Sequence, residues 1–363
     1  MTPIGRARFH FYLLFTALGL FHAEVLSWSS PTVLLNPLVF WYVAPVYAVH
    51  YIVFGDIILR RGRFDFWILY AFGCLTGLYE FVITKVYWSP PWNPTGQGPF
   101  GVAWFELFMI GFVWHAFMSF YFPFRLLQKF FFPVRPPSGT PRDLRLLLFI
   151  APVNAGAFGL AAVGNGPFMI AVVLASLGVI TLVGALYVRS ARLANITKTE
   201  DLVLSPRARK YAILSFALVY AFTGIFLRPE FWGAGMGLLV PVLFYWLFGG
   251  VLIALYSARP TPAALMAAPV APEPFVSLTL QPWIQFLRRY SLHYAIAFGG
   301  LWLLWLVFAP LVGVIAILFL VGAFGLSVYF VPRLVFEAVK PRRKPRLTPP
   351  PPPIAPPMPR LGS

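Results

Sequence analysis

Glu24, His50, Glu80, Lys85, Glu106 and His115 all fall inside long apolar runs within the first 127 residues of this 363-residue chain. Ionisable side chains at membrane depth are costly, so they mark functional positions by default. Carboxyl groups can give and take protons, and a neighbouring imidazole or ammonium can stabilise the charge that develops. Counting about 1.5 Å per residue from the outer helix ends, Glu24, Lys85 and Glu106 lie roughly 6 Å deep and Glu80 about 12 Å. His50 and His115 lie about 20 Å deep by the same measure. The carboxyl groups therefore cluster toward the outer leaflet, with two histidines beneath them.

Helical phase, at about 100° per residue, tests each position. Glu80 shares a face with Gly73, Thr76, Gly77, Thr84 and Tyr87. Gly73-x-x-x-Gly77 is a close-packing pattern, so Glu80 points into the bundle and is the strongest catalytic position. The structural alternative is a buried acid hydrogen-bonded to Thr or Tyr. Glu106 sits in the first turn of its helix, where the macrodipole favours a carboxylate, and a helix-start role explains it equally well. His115 is nine residues on, about 180° round an α-helix, and shares its face with Gly111 and Ser119 instead. It serves equally as a packed core histidine. His50 has Tyr47 one turn away and Pro45 as an expected kink. Glu24 ends its helix, where the dipole disfavours negative charge, so a compensating cation is expected and Lys85 matches it in depth. Lys85 alternatively snorkels to the outer headgroups. His22 is about 200° from Glu24 and belongs elsewhere.

Three His and three Glu raise the question of a metal. The opposed phases of His22/Glu24 and Glu106/His115 argue against one, and no His-x-x-x-His or Glu-x-x-His pair occurs. Haem between His50 and His115 would rest on two residues alone. No P-loop, nucleophile elbow or Gly-rich dinucleotide fingerprint points to a cofactor.

The elements that must position these residues are spanning helices of about 20 mostly apolar residues. Ten segments qualify: 9–28, 37–59, 64–88, 102–127, 144–163, 167–188, 211–227, 235–257, 293–309 and 311–332. Only the region of Pro310 separates the last two, which leaves a nine-span reading open. Of the 28 Lys and Arg, all but Lys85 and Arg228 lie in every second gap between these segments. Cytoplasmic loops keep positive charge, so the alternation predicts an all-α polytopic membrane protein with both termini inside, in the plasma membrane.

Five regions follow. Residues 1–130 form a four-helix half carrying the intramembrane polar groups, and 131–257 form four further spans. Residues 258–292 are a Pro/Ala-rich linker ending in a short interfacial helix at Pro282–Tyr290, with Pro in its first turn. Residues 293–335 are the last two spans, and 336–363 are a basic, Pro-rich, extended tail. The last six spans hold little ionisable character and read as scaffold.

Composition supports the class: 60% hydrophobic and 11% charged residues leave too little polar surface to face water. The net charge of +17 sits in cytoplasmic loops and the tail, where anionic headgroups meet it, so nucleic acid is not an expected partner. The lone Cys74 excludes an intrachain disulfide and a cysteine-based metal site. Three functions fit. The first is a membrane enzyme using acid/base chemistry on a lipid or isoprenoid, as an isomerase, cyclase or transferase. There Glu80 is the general acid, Glu106 or Glu24 the second carboxyl, and His115 and His50 stabilise charge. The second is a proton- or cation-coupled transporter, against which no polar path crosses the bilayer. The third is a non-catalytic subunit of a membrane complex.

Overall fold

The structure, a computed structural model, describes residues 1–81, 98–99, 102–133, 151, 153, 155–157, 159–160, 165–223, 239–257 and 278–340. Most of these residues are helical, with no strand among them. The helices are α1 (Pro3–Leu20), α2 (Pro37–Arg61), α3 (Phe66–Tyr79), α4 (Trp104–Phe130), α5 (Gly166–Leu193), α6 (Pro206–Phe222), α7 (Leu239–Ser257) and α8 (Gln281–Val339). Of these, α2, α4, α5 and α8 are long and apolar enough to cross a membrane, and α3 is a shorter apolar helix.

The helix starts share one local solution. Thr2, Asn36, Asn165 and Ser205 each accept a backbone N–H of the following turn, and a proline stands at one of the first two helical positions. Proline lacks an N–H, and at a helix start none is needed. Asp65 caps α3 in the same way without a proline. Gly62, at φ 59°, closes α2 in the left-handed conformation that a residue without Cβ adopts freely.

The sequence-predicted glycine packing is present. A Cβ on Gly73 would fall inside the Ala116 backbone, and one on Gly77 inside the Gly111 carbonyl. Helices α3 and α4 therefore touch backbone to backbone, tied further by the Tyr70 hydroxyl donating to the Phe112 carbonyl at 2.9 Å. Helix α1 packs on α5 through His10–Ser190 at 3.0 Å and the rings of Phe11 and Tyr187.

Basic side chains gather at one end of the bundle. Arg8 donates to the Asp201 carbonyl, Arg60 to Asp56 and the Leu204 carbonyl, Arg63 to the Leu255 carbonyl and Arg192 to the Leu278 carbonyl. The outward faces are apolar. Trp246 is 77% exposed, Val307 85%, and no residue of α6 is buried. Such surface is stable against hydrocarbon and not against water.

Two expectations change in detail. Pro282–Tyr290 is not a separate short helix but the first turns of α8. Its aromatic face explains why: Trp283 and Tyr290 are buried, with edge-on or tilted ring contacts to Phe130, Phe131 and Phe21. Second, α8 is two limbs broken at Phe308, whose φ of −151° and ψ of 74° leave the helical range just before Pro310. The first limb runs from Phe130 to Gly166, against which Trp302 packs. The second passes Phe105 and Phe108 and then Phe66 and Phe117, so it returns in the opposite direction. Residues 82–97, 100–101 and 134–150, most of the 258–292 linker and the tail from 341 lie outside the described residues.

Candidate functional site

Three buried carboxyl groups and two imidazoles occupy the first four helices: Glu24, Glu80, Glu106, His50 and His115 are each at most 4% exposed. Around them the helices change character. Phe21–Val25 is a π-helix continuing α1, Glu80 and Phe81 are π-helical after α3, and Leu107–Tyr121 makes the middle of α4 π-helical. Such i→i+5 segments are rare and occur frequently at functional sites. Glu24, Glu80 and His115 each sit in one.

Tyr47 of α2 joins them. Its hydroxyl donates to Glu24 Oε1 at 2.5 Å, the short end of the range for a bond to a carboxyl oxygen. Tyr47 and Tyr51 both lie within electrostatic reach of Glu24 and of Glu80. The His115 ring stands 6.5 Å from that of Tyr47, with His115 Nδ1 2.7 Å from Ser119 Oγ, the face partner expected from spacing. The result is a carboxyl–phenol pair, Glu24 and Tyr47, beside His115 and walled by Phe15, Tyr51 and Phe120. Gly19 makes room for this wall, since a Cβ there would overlap the Tyr51 ring. Trp28, at φ 62°, is an unusual left-handed position for a bulky residue. It closes the chain after Glu24, and its indole N–H donates to the Ala155 carbonyl at 3.0 Å.

His50 belongs to an adjoining relay. Its Nδ1 lies 2.8 Å from the Val46 carbonyl, which can only accept, so in the neutral ring Nε2 accepts from Tyr220 at 2.8 Å. Tyr220 is followed by Tyr245 at 3.5 Å. Tyr79 meets both His50 and Tyr220 in tilted ring contacts with centroids 4.5 Å away and shares a 3.0 Å hydrogen bond with Thr223. Both His50 nitrogens are thus engaged, which leaves neither for a haem iron. Among the described residues no three His, Cys, Asp or Glu gather to hold a metal ion.

The remaining positions divide. His22 donates Nδ1 to the Leu18 carbonyl and sits among Leu177, Trp283 and Tyr290, apart from Glu24 as its phase predicts. Glu106 is buried at the start of α4, and among the described residues no hydrogen bond or ion pair links it to Glu24, Glu80 or His115. Its opposition to His115 rested on α-helical phase. In a π-helix each residue turns roughly 80–85°, so nine residues return to nearly the same side. Lys85, and with it the expected Glu24–Lys85 pair, lies outside the described residues.

Tyr220, Thr223 and Tyr245 of the later helices hydrogen-bond to one another or to His50 and Tyr79, so these helices pack directly against the polar residues of the first four. A search for ionisable residues passes over phenols and hydroxyls, which bear no charge. The spacing Tyr47/His50/Tyr51, three and four residues apart on one face, was the signal available for the aromatic partners.

Residues 13–333 match the family described as "Uncharacterized membrane protein family", and the chain belongs to that family. It is similar to a protein of Archaeoglobus fulgidus described as "Uncharacterized protein", 29% identical over 262 residues covering 69% of this chain and 79% of that one. No solved structure matches the chain.

Proposed function

We propose that this membrane protein is an enzyme that moves protons on a lipid or isoprenoid substrate within the bilayer, as an isomerase, cyclase or transferase. The observation that carries the reading is the buried Glu24–Tyr47 hydrogen bond of 2.5 Å, with Glu80 also buried and within electrostatic reach of Tyr47. One carboxyl group can deliver a proton to an alkene carbon while the second removes one from a neighbouring carbon, which balances an isomerisation without any other reactant. Glu80 is assigned the general acid and Glu24 the second carboxyl, oriented by Tyr47. Glu24 is assigned that role ahead of Glu106 because Tyr47, its hydrogen-bond donor, also lies within electrostatic reach of Glu80. His115, with the aromatic faces of Tyr47 and Tyr51, would stabilise a cationic intermediate.

The proposed setting is a plasma-membrane protein of ten spans with both termini cytoplasmic. The alternation of basic gaps in sequence, the gathering of Arg8, Arg60, Arg63 and Arg192 at one end, and the reversal at Phe308 support it.

A second reading, proton- or cation-coupled transport, draws on the Tyr245–Tyr220–His50 chain of hydrogen bonds. Mass spectrometry of total lipid extracts distinguishes the two. Cells with the protein, without it, and with Glu80→Gln at equal membrane levels are compared. A lipid or isoprenoid species lost in both defective strains is the expected result. Identical profiles would sink the enzyme reading and favour transport.

A further inference from the structure

Outside the carboxyl–phenol site, a cavity of about 590 Å³ runs between α4 and the second limb of α8. That volume suits a small hydrophobic ligand, for which pockets of roughly 300–1,000 Å³ are usual. Every lining side chain is apolar or aromatic, among them Phe66, Trp114, Phe117, Leu318 and Phe330. The cavity opens sideways, since Leu318 and Leu326 line it and are 64% and 46% exposed on the outward face of α8. Gly322 lies on the same wall, and a Cβ there would meet nothing within 4 Å.

The two ends differ. Toward the middle of α4 lies Trp114, whose indole N–H donates to the Ala23 carbonyl beside Glu24 at 3.4 Å. At the other end the lining closes with Tyr121 and Phe330, and one turn beyond each comes an arginine. Arg125 stands 6.0 Å over the Tyr121 ring and donates to Gln128. Arg333 lies over Phe336 and pairs with Glu337 at 2.7 Å. Both are at the basic end of the bundle, where α4 and the second limb leave the apolar zone.

We propose that this groove binds one acyl chain of an anionic phospholipid, entering from the bilayer, with its phosphate at Arg125 and Arg333. An apolar slot open to the side, with an arginine one helical turn beyond its lining on each of two walls, matches a lipid's own division between tail and head. Arginine presents five N–H donors in a fixed fork, so a phosphate oxygen can be held in addition to the protein partners. A helix from another protein would fill the slot but gives no reason for the arginines at one end.

The test uses the full chain in vesicles containing phosphatidylglycerol or phosphatidylcholine with a diazirine-bearing chain, irradiated and mapped by peptide mass spectrometry. Adducts should concentrate at Trp114, Phe117 and Leu318, about fivefold more from phosphatidylglycerol. Gly322→Phe should remove most of them while leaving labelling at Leu182 and Ile253, exposed on other helices, unchanged. The unmodified protein alone decides the matter if that variant does not fold. Adducts spread evenly over Leu182, Ile253 and the groove would overturn the site, and equal yields from both lipids would overturn the headgroup assignment. Neither outcome depends on whether Glu24 and Glu80 are catalytic.

Discussion

At Glu24 Oε1, a buried acceptor meets the hydroxyl of Tyr47 at 2.5 Å, and replacing either group leaves the other without that partner. Tyr47→Phe keeps the ring and its packing on Tyr51 but removes the donor. We expect it to lower turnover of the lipid species lost in the Glu80→Gln strain by about 10²-fold or more, in the range of a lost acid/base contribution. Tyr220→Phe removes the donor to His50 in the adjoining relay, and under the enzyme reading it should lower turnover far less. Quantitative lipid mass spectrometry of matched strains separates the two, and equal losses would merge the relay with the site. Glu24, Glu80 and His115 were legible in the sequence because charge inside an apolar run is conspicuous. Tyr79 and Tyr220 were not, since aromatic residues also face lipid and nothing in their type distinguishes the two uses, whereas for Tyr47 and Tyr51 only the spacing around His50 carried a signal. Asp56 shows the converse. It is ionisable and 1% exposed, yet it accepts from Arg60 at 2.8 Å and from the Leu204 amide at 2.7 Å, a structural tie at the basic end.

At the level of helices, two devices set the site. The glycine contacts of α3 on α4 bring the end of α3, and with it Glu80, against the π-helical stretch bearing His115. Gly77→Ala places a methyl inside the Gly111 carbonyl, so the helices must separate. Overpacking of this kind costs about 1–3 kcal/mol, which should appear as a lowered melting temperature in detergent. Gly178→Ala, where a Cβ meets nothing within 4 Å, should leave melting unchanged. A Gly77→Ala protein that melts with the parent would show the two backbones to be farther apart than described. The packing pattern was readable because small residues four apart have a single geometric meaning in a helix. The π-segments were not, because an apolar run carries no mark of which turn it adopts, and so the α-helical wheel misplaced Glu106 relative to His115.

For the whole molecule, the separation of basic from apolar ends predicts sidedness. With Cys74 replaced by Ser, single cysteines at Ser30 and at Thr197 report opposite faces. An impermeant maleimide applied to intact cells should label Ser30→Cys, and Thr197→Cys only after lysis. The reverse pattern would invert the proposed topology. Membrane class was legible from composition, whereas the reversal at Phe308 was only half legible, through Pro310. The most direct test of proton chemistry in the bilayer is solvent isotope uptake. Purified protein in nanodiscs, mixed with lipids extracted from cells lacking it, is incubated in D2O and the lipids are weighed by mass spectrometry. One lipid or isoprenoid class should gain deuterium at carbon with the parent protein and not with Glu80→Gln. Uptake no greater than in protein-free discs, from a folded parent protein, would contradict a role for Glu24, Tyr47 and Glu80 in moving protons on a lipid.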